Sequence, residues 1–174
     1  MHGGIDEIVV IALGGNLPGE LGSPVANMEA ALMQFEGEGL HLIKRSSWWK
    51  SSAWPDPSEP DYINAVVLVE TNLSPDEVLA TLGRIEDRLG RVRSRRNAPR
   101  TVDLDLIANG RRIIDQPDLV VPHPRAAERR FVMGPLAEIA ADWRHPASDL
   151  TARELAASAT IGTDSHPMSP NRSG

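Results

Sequence analysis

The sequence predicts an α+β fold in which strands and amphipathic helices alternate in the order β-α-β-β-α-β. Residues 8–13 form a short, wholly apolar run rich in β-branched side chains, which is typical of a strand buried on both faces. Two helix starts, at Ser23-Pro24 and at Ser74-Pro75, each combine an N-cap residue with proline at the first helical position. Strand-like segments flank both helices. We therefore expect a ferredoxin-like core with an added hairpin strand and C-terminal helices.

The first half of the chain holds three predicted strands and one helix. Gly14-Gly15-Asn16 predicts a tight turn after the first strand. The helix that begins after Ser23 carries apolar residues at helical spacing, and it is expected to end near Gly37 or Gly39. The remaining predictions are a second strand at residues 40–50, a polar, proline-rich loop at residues 51–60, and a third strand at residues 63–71.

The second half begins with a helix and continues with an acidic strand. Ser74-Pro75-Asp76-Glu77 is a capping box, and Gly90 is expected to close the helix that it starts. Residues 102–107 form the fourth predicted strand. Asn109-Gly110 predicts a two-residue hairpin, after which residues 111–115 return antiparallel. Further helices are expected at residues 134–140 and after Thr151, which begins a second capping box.

Length and composition favour one compact domain, which we place at residues 1–157. From residue 158 to residue 174, Ser, Thr, Pro and Gly dominate, so a disordered tail is expected there. The 174 residues include no cysteine, which excludes disulfides and thiolate metal sites, and the net charge of -6 argues against general nucleic-acid binding. No apolar run reaches the roughly 20 residues that span a bilayer. We expect a cytoplasmic monomer that binds neither nucleic acid nor membrane.

The charge pattern of residues 91–107 is the strongest functional signal. Five arginines are followed directly by a strand in which Asp103 and Asp105 share one face, because side chains alternate across a strand. Two carboxylates suit Mg²⁺, which combines a few of them with waters and substrate phosphates. Arginine beside them suits polyphosphate, since its planar guanidinium binds phosphate oxygens in pairs. Together they predict metal-dependent phosphoryl transfer, although an acidic strand face can also be merely solvated.

The same residues resemble a known family. Arg91-Val92-Arg93, followed by Pro99-Arg100-Thr101-Val102-Asp103-Leu104-Asp105-Leu106-Ile107, looks like the signature of the 6-hydroxymethyl-7,8-dihydropterin pyrophosphokinases, and the likeness extends over residues 8–139. The resemblance implies an ATP-dependent diphosphokinase of folate biosynthesis. It would transfer pyrophosphate from ATP to the hydroxymethyl group of the reduced pterin and release AMP. ATP would be the co-substrate and two Mg²⁺ ions the cofactor.

The resemblance also assigns site residues. Asp103 and Asp105 are expected to bind the metal. Together with Arg93 and Arg100, they are also expected to act in catalysis. Those expected on the pterin side are Ser51, Trp54, Tyr62, Asn64 and Phe131, with Tyr62 and Phe131 as the two walls of the ring slot and Asn64 at the ring edge. Those expected on the ATP side are Glu86, Arg93, Arg100, Leu106, His123 and Arg129. We further predict that residues 91–99 close over bound nucleotide as a lid.

Two other readings remain open at this stage. The first is another Mg²⁺-dependent phosphoryl transferase, or a nuclease, on the same scaffold. The second is an RNA-binding module, because the β-α-β-β-α-β order is shared with the RNA recognition motif. Against the RNA-binding module, no predicted strand carries a motif rich in Phe and Tyr, and aromatic residues are only 4% of the chain.

Overall fold

The computed structural model describes residues 7–53, 56, 58–89 and 101–168. Within these residues the chain forms eight strands and four α-helices. The strands are β1 (Val9–Gly15), β2 (His41–Arg45), β3 (Trp49–Ser51), β4 (Tyr62–Glu70), β5 (Asp103–Asn109), β6 (Ile114–Gln116), β7 (Leu119–Val121) and β8 (His166–Pro167). The helices are α1 (Pro24–Phe35), α2 (Pro75–Arg88), α3 (Arg130–Ala140) and α4 (Ala152–Ser158). No described helix is long and apolar enough to cross a membrane.

One antiparallel sheet organises the fold, with the strand order β5-β1-β4-β3-β8 and β2 also paired to β4. The chain reaches these strands in the order β1-α1-β2/β3-β4-α2-β5, so the β-α-β-β-α-β order is confirmed. The ferredoxin-like prediction is therefore correct. The observed strand order places the acidic strand β5 at one edge of the sheet, directly beside β1.

Each face of the sheet is covered by its own pair of helices. On the first face, Val9, Ile11 and Leu13 of β1 pack in one apolar cluster with side chains of α1 and α2. On the second face, Val10 and Ala12 pack with side chains of α3 and α4. The prediction that β1 is buried on both faces is confirmed, and it explains the unbroken apolar run in the sequence.

The helix starts form as the sequence predicts. The Ser23 hydroxyl accepts a hydrogen bond from Ala26 N–H at 3.1 Å, and Pro24 is the first residue of α1. At the start of α2, the Ser74 hydroxyl and the Glu77 carboxylate each accept the other residue's backbone N–H. Thr151 and Glu154 repeat this capping box at α4. The expected closure of α2 at Gly90 lies outside the described residues.

The single strand predicted at residues 40–50 is wrong, because two separate strands occupy this segment. β2 pairs with residues 67–70 of β4, and β3 pairs with residues 62–64. Between them, Ser46 N–H donates to the Val66 carbonyl, and the Ser46 hydroxyl accepts from Val66 N–H at 3.0 Å. The Ser46 hydroxyl thus accepts a hydrogen bond that a backbone carbonyl would accept in a regular ladder, and this interrupts the strand.

The predicted hairpin after β5 is only partly correct. A turn does form at Asn109-Gly110, where Gly110 has a φ of 58° and Arg112 N–H donates to the Asn109 carbonyl. Residues 111–115 do not return along β5, however. Instead, β6 pairs with β7 in a separate two-stranded sheet. The sequence analysis missed β7.

The C-terminal region is more ordered than the sequence suggests. α3 begins at Arg130, four residues before the predicted start, because Arg129 ends the preceding 3-10 turn in extended backbone. Residues 159–168, which the sequence places in a disordered tail, instead lie against the sheet. Arg129 forms a parallel bridge with Ile161, and β8 pairs with β3. Residues 169–174 lie outside the described residues.

Candidate functional site

A row of four paired residues crosses the second face of the sheet at one level. In the strand register Asp103 of β5 lies opposite Gly14 of β1, Gly14 lies opposite Asn64 of β4, and Asn64 lies opposite Trp49 of β3. Paired residues of an antiparallel ladder project to the same face. Adjacent strands are roughly 4.8 Å apart, so the backbones of Asp103 and Asn64 are separated by about 10 Å. The row therefore joins the predicted phosphate side to the predicted pterin side.

Other candidate residues lie on the same face in the neighbouring rows. Asp105 lies opposite Ala12, two residues along from Asp103, and its side chain is exposed. Tyr62 lies opposite Ser51, two residues along from Asn64, with Tyr62 half-buried and Ser51 buried. The structure thus brings five of the sequence-predicted residues onto one sheet face: Ser51, Tyr62, Asn64, Asp103 and Asp105.

Gly14 allows Asn64 to occupy the middle of this row. A Cβ atom on Gly14 would lie 2.8 Å from Asn64 Oδ1, closer than any ordinary contact. Asn64 is itself 8% exposed. The absence of a side chain at Gly14 therefore leaves room for the Asn64 amide on this face, between the acidic strand and β3.

Glu86 of α2 holds the outer edge of the acidic strand. β5 is an edge strand, and Leu104, which lies between the two aspartates, donates its backbone N–H to Glu86 Oε2 at 2.8 Å. A carboxylate that accepts a backbone N–H forms a strong, charge-assisted hydrogen bond. Glu86, predicted on the ATP side, is thus in direct contact with the strand that presents Asp103 and Asp105.

A histidine and two arginines lie close to the acidic strand. His123 N–H donates to the Ile107 carbonyl of β5, and His123 Nδ1 accepts from Arg125 N–H at 3.2 Å. Burial lowers the pKa of His123; the charge of Asp105 raises it, and the charges of Arg129 and Arg125 lower it. Because the neutral ring accepts at Nδ1, its proton lies on Nε2, where it can be donated to an anion.

Phe131 and Arg129 connect the phosphate side to the start of α3. The Arg129 guanidinium lies over the Phe131 ring, 5.6 Å from its centroid. Phe131 is half-buried and packs against the apolar cluster of the second face. The charge of Arg129 therefore acts on the pKa of His123, and its guanidinium contacts the Phe131 ring. Both contacts are expected of a residue that lies between the two halves of a site.

A buried tryptophan and its carboxylate partner form part of this region, and the sequence analysis did not assign them to it. Trp49 Nε1–H donates to Glu138 Oε1, while Ser47 donates both its N–H and its hydroxyl to Glu138 Oε2, each at 2.8 Å. Burial raises the pKa of Glu138, but these hydrogen bonds outweigh it, and the net shift is downward. The contact joins α3 to β3 across 89 residues of sequence, which no local pattern reveals.

The two aspartates suit a hard divalent cation. Within the described residues, no group of three or more His, Cys, Asp or Glu side chains is placed to hold a metal ion. Mg²⁺ does not need such a group, because it binds through one or two carboxylates and completes its shell with waters and substrate phosphates. Asp103 and Asp105, on one face of the edge strand β5, fit that requirement.

Some predicted site residues lie elsewhere or cannot be placed. Leu106 is 5% exposed, and its side chain packs in the first-face cluster, so it points away from the two aspartates. Trp54, Arg93 and Arg100 lie outside the described residues, and so does the predicted lid at residues 91–99.

Comparison with known proteins gives one consistent family. The family model for 7,8-dihydro-6-hydroxymethylpterin-pyrophosphokinase (HPPK) matches residues 10–141. A Synechocystis protein named 2-amino-4-hydroxy-6-hydroxymethyldihydropteridine pyrophosphokinase is 43% identical over 147 residues, which cover 84% of this chain and 73% of that protein. The Haemophilus influenzae protein of the same name is 43% identical over 141 residues, which cover 80% of this chain and 86% of that protein.

Solved structures agree on the fold. The crystal structure of Plasmodium falciparum HPPK-DHPS matches with a TM-score of 0.66 and 12% sequence identity. The match covers 86% of this chain and 44% of that one, so this chain spans less than half of the Plasmodium protein.

Proposed function

This chain belongs to the 7,8-dihydro-6-hydroxymethylpterin-pyrophosphokinase family, and from that membership we infer its reaction. It transfers pyrophosphate from ATP to the hydroxymethyl group of 6-hydroxymethyl-7,8-dihydropterin, as a step of folate biosynthesis. The products are the pterin diphosphate and AMP. The enzyme is thus an ATP-dependent diphosphokinase, and its small-molecule substrates are ATP and the reduced pterin.

The observation that best supports a site for this reaction is the row Asp103-Gly14-Asn64 across the second sheet face. Pyrophosphoryl transfer needs a polyphosphate and a flat heterocycle held side by side, with the hydroxyl between them. A carboxylate stands at one end of the row and an amide at the other, and their backbones are roughly 10 Å apart by strand spacing. A single sheet face can therefore align both substrates.

On the phosphate side, the arginines whose charges act on His123 would bind ATP. Arg129, predicted on the ATP side, and Arg125 both act electrostatically on His123. We assign Arg129 to the polyphosphate together with Arg93 and Arg100 of the arginine segment. The neutral His123 ring would donate from Nε2 to a phosphate oxygen, since Nδ1 already accepts from Arg125 N–H. Glu86 would act through β5, by holding the strand that carries both aspartates.

We assign Mg²⁺ to Asp103 and Asp105, with two ions as the expected number. When bound, Mg²⁺ neutralises charge that develops on the phosphates during transfer. The two carboxylates would orient the polyphosphate through that cation. We assign no side chain as a general base for the hydroxymethyl group, so polarisation by the bound cation and positioning by the residues of the row are together expected to supply the rate enhancement.

On the pterin side, we assign Asn64 to the ring edge and Tyr62 and Phe131 to the two ring faces. An amide offers both a donor and an acceptor, which matches the mixed edge of a pterin. Aromatic side chains can stack on the flat ring system. Ser51 lies opposite Tyr62 and would contribute from the wall of the slot, with Trp54 in the following loop. The expectations of a monomer and of a cytoplasmic location stay predictions.

The test is AMP release from ATP and Mg²⁺, measured with and without 6-hydroxymethyl-7,8-dihydropterin. We expect AMP only when the pterin is present, together with one pterin diphosphate for each AMP. Chelation of the divalent cation should stop the reaction. AMP release that is independent of pterin would instead indicate another phosphoryl transferase or hydrolase on the same scaffold.

A further inference from the structure

Residues 159–168, which we call the C-terminal strap, cross the molecule beside the candidate pterin side. Thr160 and Ile161 donate their backbone N–H groups to the Glu128 carbonyl, and Arg130 N–H donates back to the Ile161 carbonyl at 2.9 Å. At its far end, the strap pairs with β3 through β8, and Met168 N–H donates to the Trp48 carbonyl at 2.8 Å. The strap thus connects the start of α3 to β3.

The middle of the strap supports the Phe131 ring. Gly162 has a φ of 69°, and a Cβ atom there would lie 2.6 Å from Phe131 Cδ1. The ring therefore rests directly on the glycine backbone. A side chain at this position would both strain the backbone and displace the ring.

Two residues farther on, Asp164 holds the loop that follows β3. Asp164 Oδ2 accepts the Ser52 N–H at 2.9 Å, over 112 residues of sequence. The hydrogen bonds with Ser52 lower the pKa of Asp164, so its carboxylate is charged at neutral pH. Ser52 directly follows Ser51, which lies opposite Tyr62 in the sheet.

Arg130 fastens the strap to the rest of the site. Its Nε–H donates to the Ser165 carbonyl at 3.0 Å, and its guanidinium lies over the Trp49 ring, 5.9 Å from the centroid. Ser165 is 2% exposed, and this contact is partly buried. The strap therefore has fixed attachments on both sides of Gly162 and Asp164.

We propose that the C-terminal strap is a positioning element for the pterin: Gly162 sets the Phe131 wall, and Asp164 sets the loop at Ser51–Ser52 on the opposite wall. The proposal rests on the proposed function, since it takes these residues as the pterin slot. The strap lies beyond the residues that the family model matches, which end at residue 141. The strap also bridges Arg129 through Ile161, but Gly162 and Asp164 contact Phe131 and Ser52 instead, so substitutions at Gly162 and Asp164 should act mainly on the pterin.

The experiment compares pterin affinity with nucleotide affinity in Asp164 variants. Calorimetry would measure the Kd of 6-hydroxymethylpterin at saturating Mg²⁺ and a non-hydrolysable ATP analogue, and separately the Kd of the analogue alone. Asp164→Ala removes the acceptor, whereas Asp164→Asn keeps an oxygen that can accept the Ser52 N–H. Asp142→Ala is the matched control, because the Asp142 side chain is 91% exposed and its ion pair with Arg153 is 4.0 Å long.

We expect Asp164→Ala to weaken pterin binding about tenfold and to leave nucleotide affinity within about twofold. Asp164→Asn should restore most of the pterin affinity, and Asp142→Ala should match the wild type. Gly162→Ala should also weaken pterin binding by about tenfold or more, because it displaces a stacking wall. Melting temperatures of all variants would separate this effect from general unfolding.

Two results would overturn the proposal: wild-type pterin affinity in both Asp164→Ala and Gly162→Ala, or equal loss of pterin and nucleotide affinity. If Asp164→Asn failed to restore pterin affinity, Asp164 would have no part in positioning the loop at Ser51–Ser52. These outcomes differ from failure of the proposed function itself, in which the wild-type protein would bind no pterin in the presence of the nucleotide analogue.

Discussion

The substitution Gly14→Ala tests whether Asn64 recognises the pterin. The new Cβ would lie 2.8 Å from Asn64 Oδ1, whereas ordinary contacts begin at 3.4 Å, so this oxygen would have to move by about 0.6 Å to restore an ordinary contact. Oδ1 is the end of a side chain, which can rotate without moving the strands. We therefore expect the fold to tolerate alanine at Gly14, while the amide leaves the position from which it would meet the ring.

The expected loss of binding follows from hydrogen-bond geometry. Donor–acceptor distances in good hydrogen bonds vary by only about 0.5 Å, so a displacement of this size breaks or badly weakens a contact. Leaving a buried polar group of the ligand unpaired costs about 1–3 kcal/mol. This corresponds to a rise in the pterin Kd of roughly 5- to 150-fold. Nucleotide affinity should change little, because Asp103 lies on the other side of Gly14 and its backbone register is kept.

The assay is calorimetric titration of 6-hydroxymethylpterin at saturating Mg²⁺ and ATP analogue, accompanied by urea unfolding. Gly83→Ala is the matched control, since a Cβ there meets nothing within 4 Å. It lies inside α2, so alanine should raise stability by about 1 kcal/mol without affecting pterin binding. Unchanged pterin affinity in Gly14→Ala would refute the assignment of Asn64 to the ring edge. A large loss of stability would show that the strands, and not the amide, absorb the clash.

Four further predictions follow from the site. Asp103→Ala and Asp105→Ala should each abolish turnover in a Mg²⁺-dependent assay while circular dichroism shows an intact fold; near-normal activity in either would refute the metal assignment. Phe131→Ala should weaken pterin binding by roughly 1–3 kcal/mol and nucleotide binding far less, as measured by calorimetry; equal losses would contradict the slot. Glu86→Ala should lower kcat and cost about 1 kcal/mol in urea unfolding, whereas Glu86→Gln keeps an acceptor for the edge strand and should be milder; equal kinetics for the two would argue against this contact. Because burial lowers the pKa of His123 from 6.5, the neutral ring stabilises the fold above that pH, and stability should fall as the pH drops below it. His123→Gln should lose less unfolding free energy than the wild type between about pH 7.5 and about pH 5.5, and an identical loss would contradict this.

The sequence predicted the sheet face of the site well because strand periodicity is local. The alternation through Asp103 and Asp105, and through Tyr62 and Asn64, determines which side chains share a face as soon as the strands are recognised. The helix starts were equally clear, since Ser74 and Glu77 form a capping box over only four residues. The ferredoxin-like fold was predicted from the β-α-β-β-α-β order of elements along the chain.

The predictions that failed depend on contacts that are distant in sequence. Ser46 looks like an ordinary polar residue of a strand, and it interrupts that strand only because Val66 accepts and donates the matching hydrogen bonds. The strand after Asn109-Gly110 was assigned to β5 from turn chemistry alone. That chemistry predicts the turn and not the partner, and here the partner is β7.

The C-terminal strap shows why composition was a poor guide to order in this chain. Ser, Thr, Pro and Gly suggest disorder because they bury little apolar surface. The strap gains its order from other contacts: backbone pairing with β3 and with Glu128, and the Asp164 carboxylate on Ser52. β3 is held in the sheet by β4, and Glu128 belongs to the 3-10 turn that precedes α3, so the strap needs no core of its own. A segment held mainly by polar contacts to a prebuilt surface can lie beside a ligand slot without filling it, which is what a positioning element of the pterin side requires.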